Sequence, residues 1–267
     1  MSIQAALAGA SASQPVLPVT HITRLASFES FVASSQVPLN SNCPRNGKKA
    51  TYLFYGVPFY RLSHKEPYEL DANDVDAHPI GLLIPASQMA GIEAEVYPFD
   101  TGAWTHGLYE TVIDRTKWSL DDFVVPTRDA PSDAAKLVRV LFGSNHSYLF
   151  GEGVPVASGA TSASAVDAVK ALHRARIRAD IRKRGIEIVA LETVPWTFDG
   201  LVVIGPQHTL GRRRKVMPEL EALLSHPGTT VIHYLDMANY SPTSDSRAVL
   251  EYAGKWLMQQ GFLPNAP

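Results

Sequence analysis

The stretch Pro79–Pro85, PIGLLIP, is apolar from end to end. A short continuous apolar run bounded by prolines is consistent with a strand buried on both faces. A chain that carries it needs other layers on each side of a sheet, and the sequence holds candidates for them. Leu25, Phe28, Phe31 and Val32 sit at helical spacing in Leu25–Ser34. Ala165–Arg184 reads as a helix stopped by Gly185, with Val166, Val169, Leu172, Ile177 and Ile181 over half of its wheel. Ser132–Phe142, with Ser132 as N-cap, Pro218–Ser225 and Ser246–Gln260 also read as helices. Strands are expected at Pro18–Thr23, Thr51–Tyr55, Glu187–Leu191, Leu201–Ile204 and Thr229–Leu235. The two kinds alternate without the regularity of βαβ repeats, which favours α+β over a doubly wound sheet.

Apolar residues make up 45% of the 267, enough for a sizeable core. Residues 1–18 are Ala/Ser-rich without a period and read as a flexible lead-in. No linker separates two composition regimes afterwards, so 19–267 is expected to form a single domain. The lone Cys43 cannot close an internal disulfide. The opening residues lack the basic and apolar regions of a signal peptide, and no run of about 18 apolar residues occurs. A soluble, cytoplasmic protein with no membrane contact is expected.

Twenty-four basic against 26 acidic residues exclude a globally basic nucleic-acid protein. The charge is uneven, however. Segment 170–215 holds 11 of the basic residues and only four acids, Asp180, Glu187, Glu192 and Asp199. Two basic clusters there flank one predicted strand in the sequence and suggest an anion-binding surface. Its nucleic-acid candidates are Arg174, Arg178 and Arg182, then Arg212, Arg213 and Arg214.

Common catalytic motifs are missing. There is no P-loop and no G-x-S-x-G, and Gly151-Glu152-Gly153 lacks the third glycine of a dinucleotide fingerprint. Neither H-E-x-x-H nor CxxC occurs, and the nine histidines have no ligand spacing, so no metal is expected. What remains is His21-Ile22-Thr23 on the opening strand, an aromatic segment from Leu53 to Tyr60, and Glu187 heading a later strand. These suit displacement of nicotinamide from NAD. That reaction needs a carboxylate beside a ribose of growing positive charge, donors for ribose and pyrophosphate, and a flat aromatic wall. Glu192, five residues on from Glu187, would face the opposite side of a regular strand and reads as structural.

At these residues the chain resembles the DarT-like ADP-ribosyltransferase toxins. His21-Ile22-Thr23 with Leu25 is similar to the family's opening strand, and Tyr55-Gly56-Val57-Pro58-Phe59-Tyr60 to its "YVPFYF" segment. Pro79–Ser87 and Val96–Thr101 resemble its apolar strand and "F-x-D" turn, and Glu187–Leu191, Pro195 and Asp199–Val202 its "EALxW…P…DGI" block. Gly56 and a spacing one residue shorter between Pro195 and Asp199 depart from the pattern. The resemblance implies an α+β fold with a split, twisted sheet flanked by helices. It also implies transfer of ADP-ribose from NAD, as substrate, to an acceptor, with a DNA base favoured and RNA or protein as alternatives. Glu187 would be the catalytic glutamate, with His21 and Thr23 on the ribose and Tyr55 and Tyr60 as the aromatic candidates for nicotinamide. Arg45 would be the catalytic arginine on the pyrophosphate, with Arg61 as its rival. The small-residue loop 151–164 and the basic helix would select the acceptor, and a macrodomain-type antitoxin would be the partner. The rival readings are an NAD glycohydrolase and a non-catalytic nucleic-acid-binding module.

Overall fold

The computed structural model describes residues 2–59, 78–151, 164–175, 183–235 and 242–263. In chain order the elements begin with α1 (Ile3–Leu7), β1 (Val19–Arg24), α2 (Leu25–Ser34), β2 (Gln36–Val37), β3 (Ser41–Asn42), β4 (Lys49–Tyr55), β5 (Pro79–Ile84) and β6 (Ala94–Tyr97). Then come α3 (Thr101–Thr105), β7 (Val125–Thr127), α4 (Ala130–Leu141), α5 (Asn145–Phe150), α6 (Ala165–Arg174), β8 (Glu187–Ala190) and β9 (Val194–Pro195). The chain closes with β10 (Val202–Pro206), α7 (Gln207–Arg213), α8 (Pro218–Ser225), β11 (Thr230–Tyr234) and α9 (Pro242–Gln259).

Among the described residues the main sheet runs β11-β10-β5-β1-β4-β8-β6-β7, with β3 added to β4, while β2 and β9 pair separately. Every ladder of that sheet is antiparallel except β10–β11. The class is α+β, as the irregular alternation in the sequence predicts. Strand β5 is buried at all six residues, between β1 and β10. Helix α9 packs on one face, where a side-chain carbon on Gly81 would run into Val249. Helix α7 packs on the other, with Leu210 against the bare α-carbon of Gly205. Helix α2 lies on β1 and β5, and its apolar Leu25, Phe28, Phe31 and Val32 are the buried ones.

The sheet has a split. Strands β1 and β4 share only two partner pairs, Val19 with Tyr55 and Thr20 with Phe54. Beyond them β1 continues against β5 as far as Arg24–Pro79, and β4 against β8 as far as Thr51–Ala190.

Helices α2 and α8 match their predicted bounds, but three expectations are corrected. Residues 2–18 are not a loose lead-in. Ile3, Leu7 and Leu17 are buried, Ser13 N donates to Ala135 O (3.0 Å), Asn145 Nδ2 to Pro15 O (2.7 Å), and Leu17 N to the Tyr55 hydroxyl (2.9 Å). Ile3 and Leu7 are one turn of α1 apart, but a single such pair in an Ala/Ser-rich run is too short to show a period, which is why composition misleads there. The helix expected to reach Arg184 ends at Arg174, where Ala175 turns to ψ 138° and its carbonyl accepts from Lys183 Nζ. A lysine on a terminal carbonyl is a common helix stop. Helix α4 starts at Ala130 rather than at Ser132, because Pro131 is preorganised for the first turn.

Gly81→Ala is expected to lower the melting temperature by roughly 2–10 °C, from an overpacking cost of about 1–3 kcal/mol. Adding Val249→Ala removes the clashing methyl groups and should recover part of that loss in a thermal melt. A single variant as stable as wild type refutes the close approach.

Candidate functional site

A cavity of about 380 Å³ opens where β1 and β4 part, a size typical of small-molecule sites. His21 comes from β1, Tyr52 and Phe54 from β4, and Glu187 from the head of β8. Asp100 and Gly102 reach it from the start of α3, and Pro38, Asn40 and Ser41 from the strap leading into β4. His21 and Glu187 thus meet although most of the chain lies between them.

The position of Glu187 follows from its two ladders, which set it opposite Phe54 on one side and Tyr97 on the other. Glu187 is 3% exposed, and a buried carboxylate must find donors. Oε2 accepts from Thr101 N at 3.0 Å and from the Thr101 hydroxyl. Burial, then the nearby Asp100, push its pKa well above the ordinary carboxylate range, against the pull of the Thr101 bonds. Asp100 itself caps α3, its Oδ1 accepting from Ala103 N at 2.8 Å.

His21 Nδ1 lies 2.9 Å from Tyr52 O. A carbonyl only accepts, so Nδ1 carries the proton and Nε2 keeps its lone pair. Burial lowers the His21 pKa against that bond, so the ring is neutral at pH 7. The bond crosses the gap where the β1–β4 ladder has ended. Tyr52 donates its hydroxyl to Asn42 O at 2.8 Å, and burial followed by the Glu187 charge raise its pKa, so it stays a phenol.

The described residues that line the cavity include two carboxylates and no lysine or arginine. With the Tyr52 and Phe54 rings beside Glu187, this suits a planar group that carries or develops positive charge. Among the described residues it offers a phosphate no cationic side chain. Among the described residues no group of three His, Cys, Asp or Glu side chains is placed to hold a metal ion.

Arg45 is placed elsewhere. Its Nε donates to Glu95 Oε1 at 3.0 Å, Nη2 contacts the same oxygen, and Nη1 reaches Asp121 at 3.2 Å. Asn46 Nδ2, the Tyr97 hydroxyl and the buried Cys43 thiol complete the shell of Glu95, at 3.0, 2.7 and 3.4 Å. Burial pushes the Glu95 pKa up, but the bonds from Arg45, Tyr97 and Cys43 win and hold it low. Arg45 therefore pins the strap rather than facing the cavity, because a buried carboxylate competes for it.

Thr23 and Tyr55 are not in the lining either. Thr23 is buried opposite Ile80, about 7 Å further along β1 than His21. Tyr55 is wholly buried, its hydroxyl taking Leu17 N and its carbonyl the Tyr148 hydroxyl at 2.9 Å. Three residues from Tyr52 on one strand, it faces the other side. Among the described residues the aromatics in the cavity are Tyr52 and Phe54, neither of which the sequence reading assigned to the site. Period two grouped Tyr52 with Phe54, but only the pairing of Phe54 with Glu187 tells which group faces the site. Thr101 was visible only as the end of an "F-x-D" turn. Tyr60, Arg61, Arg178 and Arg182 lie outside the described residues, as do 152–163 of the small-residue loop.

Among the described residues the two basic clusters sit on separate elements: α6 packs on α1 and α4, and α7 on β10. Arg174 and Arg212 are exposed, Arg213 meets Glu29 at 3.4 Å, and Arg214 meets Glu221 at 3.4 Å. Glu192 accepts from Glu93 N and stands beside Arg128, a structural role. Among the described residues no helix is long and apolar enough to cross a membrane.

No family model matches the chain, and no curated protein matches it. Among solved structures it is similar to Thermus sp. 2.9 DarT in complex with NAD+, with a TM-score of 0.43 and 10% identity over 85% of this chain and 100% of that chain. The same protein in complex with ADP-ribosylated ssDNA gives 0.42 and 10% over 86% and 100%, and in complex with carba-NAD+ 0.41 and 10% over 82% and 99%.

Because the folded-state pKa of Glu187 is raised, its contribution to stability is full below the ordinary value of 4.5 and is lost as pH rises through the folded value. Glu187→Gln removes this loss. Its melting temperature should equal that of wild type below about pH 4 and exceed it at pH 8 by roughly 2–10 °C, for about 1–3 kcal/mol of relieved burial. A gap that shrinks with rising pH contradicts the assignment.

Proposed function

We propose that the chain transfers ADP-ribose from NAD to an acceptor on nucleic acid, with a DNA base favoured. The observation that carries this reading is the meeting of Glu187, Tyr52 and a neutral His21 at the split of the sheet. Each supplies one thing the reaction needs. The Glu187 carboxylate faces the ribose carbon as nicotinamide leaves, and its charge offsets the positive charge growing there. The cationic nicotinamide ring of the bound substrate favours the ionised form of Glu187, against the burial that raises its pKa.

His21 Nε2 accepts from a ribose hydroxyl and fixes the sugar, while Tyr52 and Phe54 wall the ring. As the bond from ribose carbon to nicotinamide nitrogen breaks, the bond to the acceptor nitrogen or oxygen forms. The proton lost by the acceptor passes to Glu187, which returns it to solvent. The pyrophosphate needs cations that the described lining lacks. Arg45 is engaged with Glu95, which leaves Arg61 as the candidate for that role.

The reading places the chain in the cytoplasm as a DNA-modifying toxin, with a macrodomain-type hydrolase as the partner that reverses the modification.

The experiment is incubation of labelled NAD with purified protein and single-stranded DNA, RNA or protein, beside Glu187→Gln. Label should enter one nucleic acid with wild type and fall at least about 100-fold in the variant. Nicotinamide release without label transfer makes the chain a glycohydrolase. Neither release nor transfer, from folded protein that still binds nucleic acid, overturns the enzyme reading in favour of a binding module.

A further inference from the structure

A second cavity, of about 230 Å³, lies between β11, α7 and α8. Leu210, Leu224 and Val231 give it an apolar floor, and Gln207, Arg214 and His233 are its polar groups. It is smaller than the roughly 300 Å³ at which sites for whole small molecules begin, so it fits one unit of a larger ligand. Strand register fixes its relation to the first cavity. His21 stands opposite Leu82, Leu82 opposite Val203, and Val203 opposite Val231. Cross-strand partners share a face. Val231 and His21 therefore lie on one face of the sheet, three strand intervals or about 14 Å apart. Helix α2 packs over β1 and β5 between the two openings, and its exposed Ala26, Ser30 and Ala33 are small.

The polar groups share one chemistry. Arg214 meets Glu221 through Nε at 3.4 Å with both side chains about half exposed, a contact that an anion displaces readily. Gln207 and His233 are exposed and present an amide and an imidazole to the same space. The described lining includes no acid, and exposed Arg212 and Lys215 flank Arg214. A guanidinium, an amide and an imidazole suit phosphate oxygens. The apolar floor suits the face of a base. An acidic peptide satisfies Arg214 but leaves that floor uncovered, whereas one nucleotide supplies an anion and a flat ring together.

We propose that this second cavity grips a phosphate and the adjoining base of a single-stranded nucleic acid, a few nucleotides from the base presented at Glu187. The proposal rests on the transferase reading for the purpose of the strand, but its test does not. Anisotropy of a short fluorescent single-stranded DNA, read without NAD at ~50 mM salt, should show Arg214→Gln and the double variant Gln207→Ala/His233→Ala each binding roughly 5–10-fold more weakly than wild type. The slope of log affinity against log salt should fall by about 0.7 in Arg214→Gln. Lys255→Gln, which loses the same charge on α9 across the sheet, should change affinity less than about twofold.

Circular dichroism melts verify that each variant is folded. Wild-type affinity in both cavity variants overturns the proposal, as does an equal loss in Lys255→Gln. Competition by polyglutamate as effective as by unlabelled DNA also overturns it, in favour of an acidic peptide. DNA binding can fail to depend on this cavity while wild type still transfers label, and it can depend on it when no label is transferred. The two readings therefore fail separately.

Discussion

Thr101 is the residue on which the arrangement of the site depends. An ionisable carboxylate in the interior costs several kcal/mol unless donors are supplied, and Thr101 supplies two of them to Glu187 from one position. The turn that presents Thr101 is itself held at several points. His173 of α6 bonds Pro98 O at 3.1 Å and stacks on Phe142, while Asp100 closes the first turn of α3. Strand β8, paired on both sides, fixes the backbone of Glu187. The carboxylate is therefore positioned by three elements distant in the sequence.

Two buried glutamates on neighbouring strands are treated in opposite ways. Glu95 is ringed by donors, a guanidinium among them, and is held ionised. Glu187 has two bonds from one neutral residue and a second carboxylate nearby, and its pKa is driven up. The same side chain is thus a fixed anion at one position and a group biased toward its neutral form at the other. Tyr97 links the two, standing opposite Glu187 in the ladder while donating to Glu95. The strap that walls the cavity, from Pro38 to Lys48, is fastened at Glu95, so Glu95 helps to shape the cavity that holds Glu187.

Much of the fold was legible because it rests on local pattern. The apolar run at Pro79–Ile84 fixed a central strand, and the spacing in Leu25–Ser34 fixed a helix to the residue. Glu187 and His21 stood out for another reason, a carboxylate heading an apolar strand and a histidine on an opening strand being unusual there, and both line the cavity. The misses share a cause, which is dependence on tertiary pairing. Tyr52 and Tyr55 cannot be ranked until β4 is paired with β8. Arg45 looked free because Glu95, fifty residues on, is invisible as its partner. The buried N-terminal anchors Ile3 and Leu7 are held by α4 and by no signal of their own.

The raised pKa of Glu187 also has a thermodynamic consequence for whatever enters the cavity. A ligand with a cationic ring lowers that pKa on arrival, so near the folded value its capture expels a proton. The heat of association then varies with the ionisation enthalpy of the buffer, and affinity rises with alkalinity even though the ligand itself does not titrate. Recognition and acid–base state are one linked equilibrium at this carboxylate.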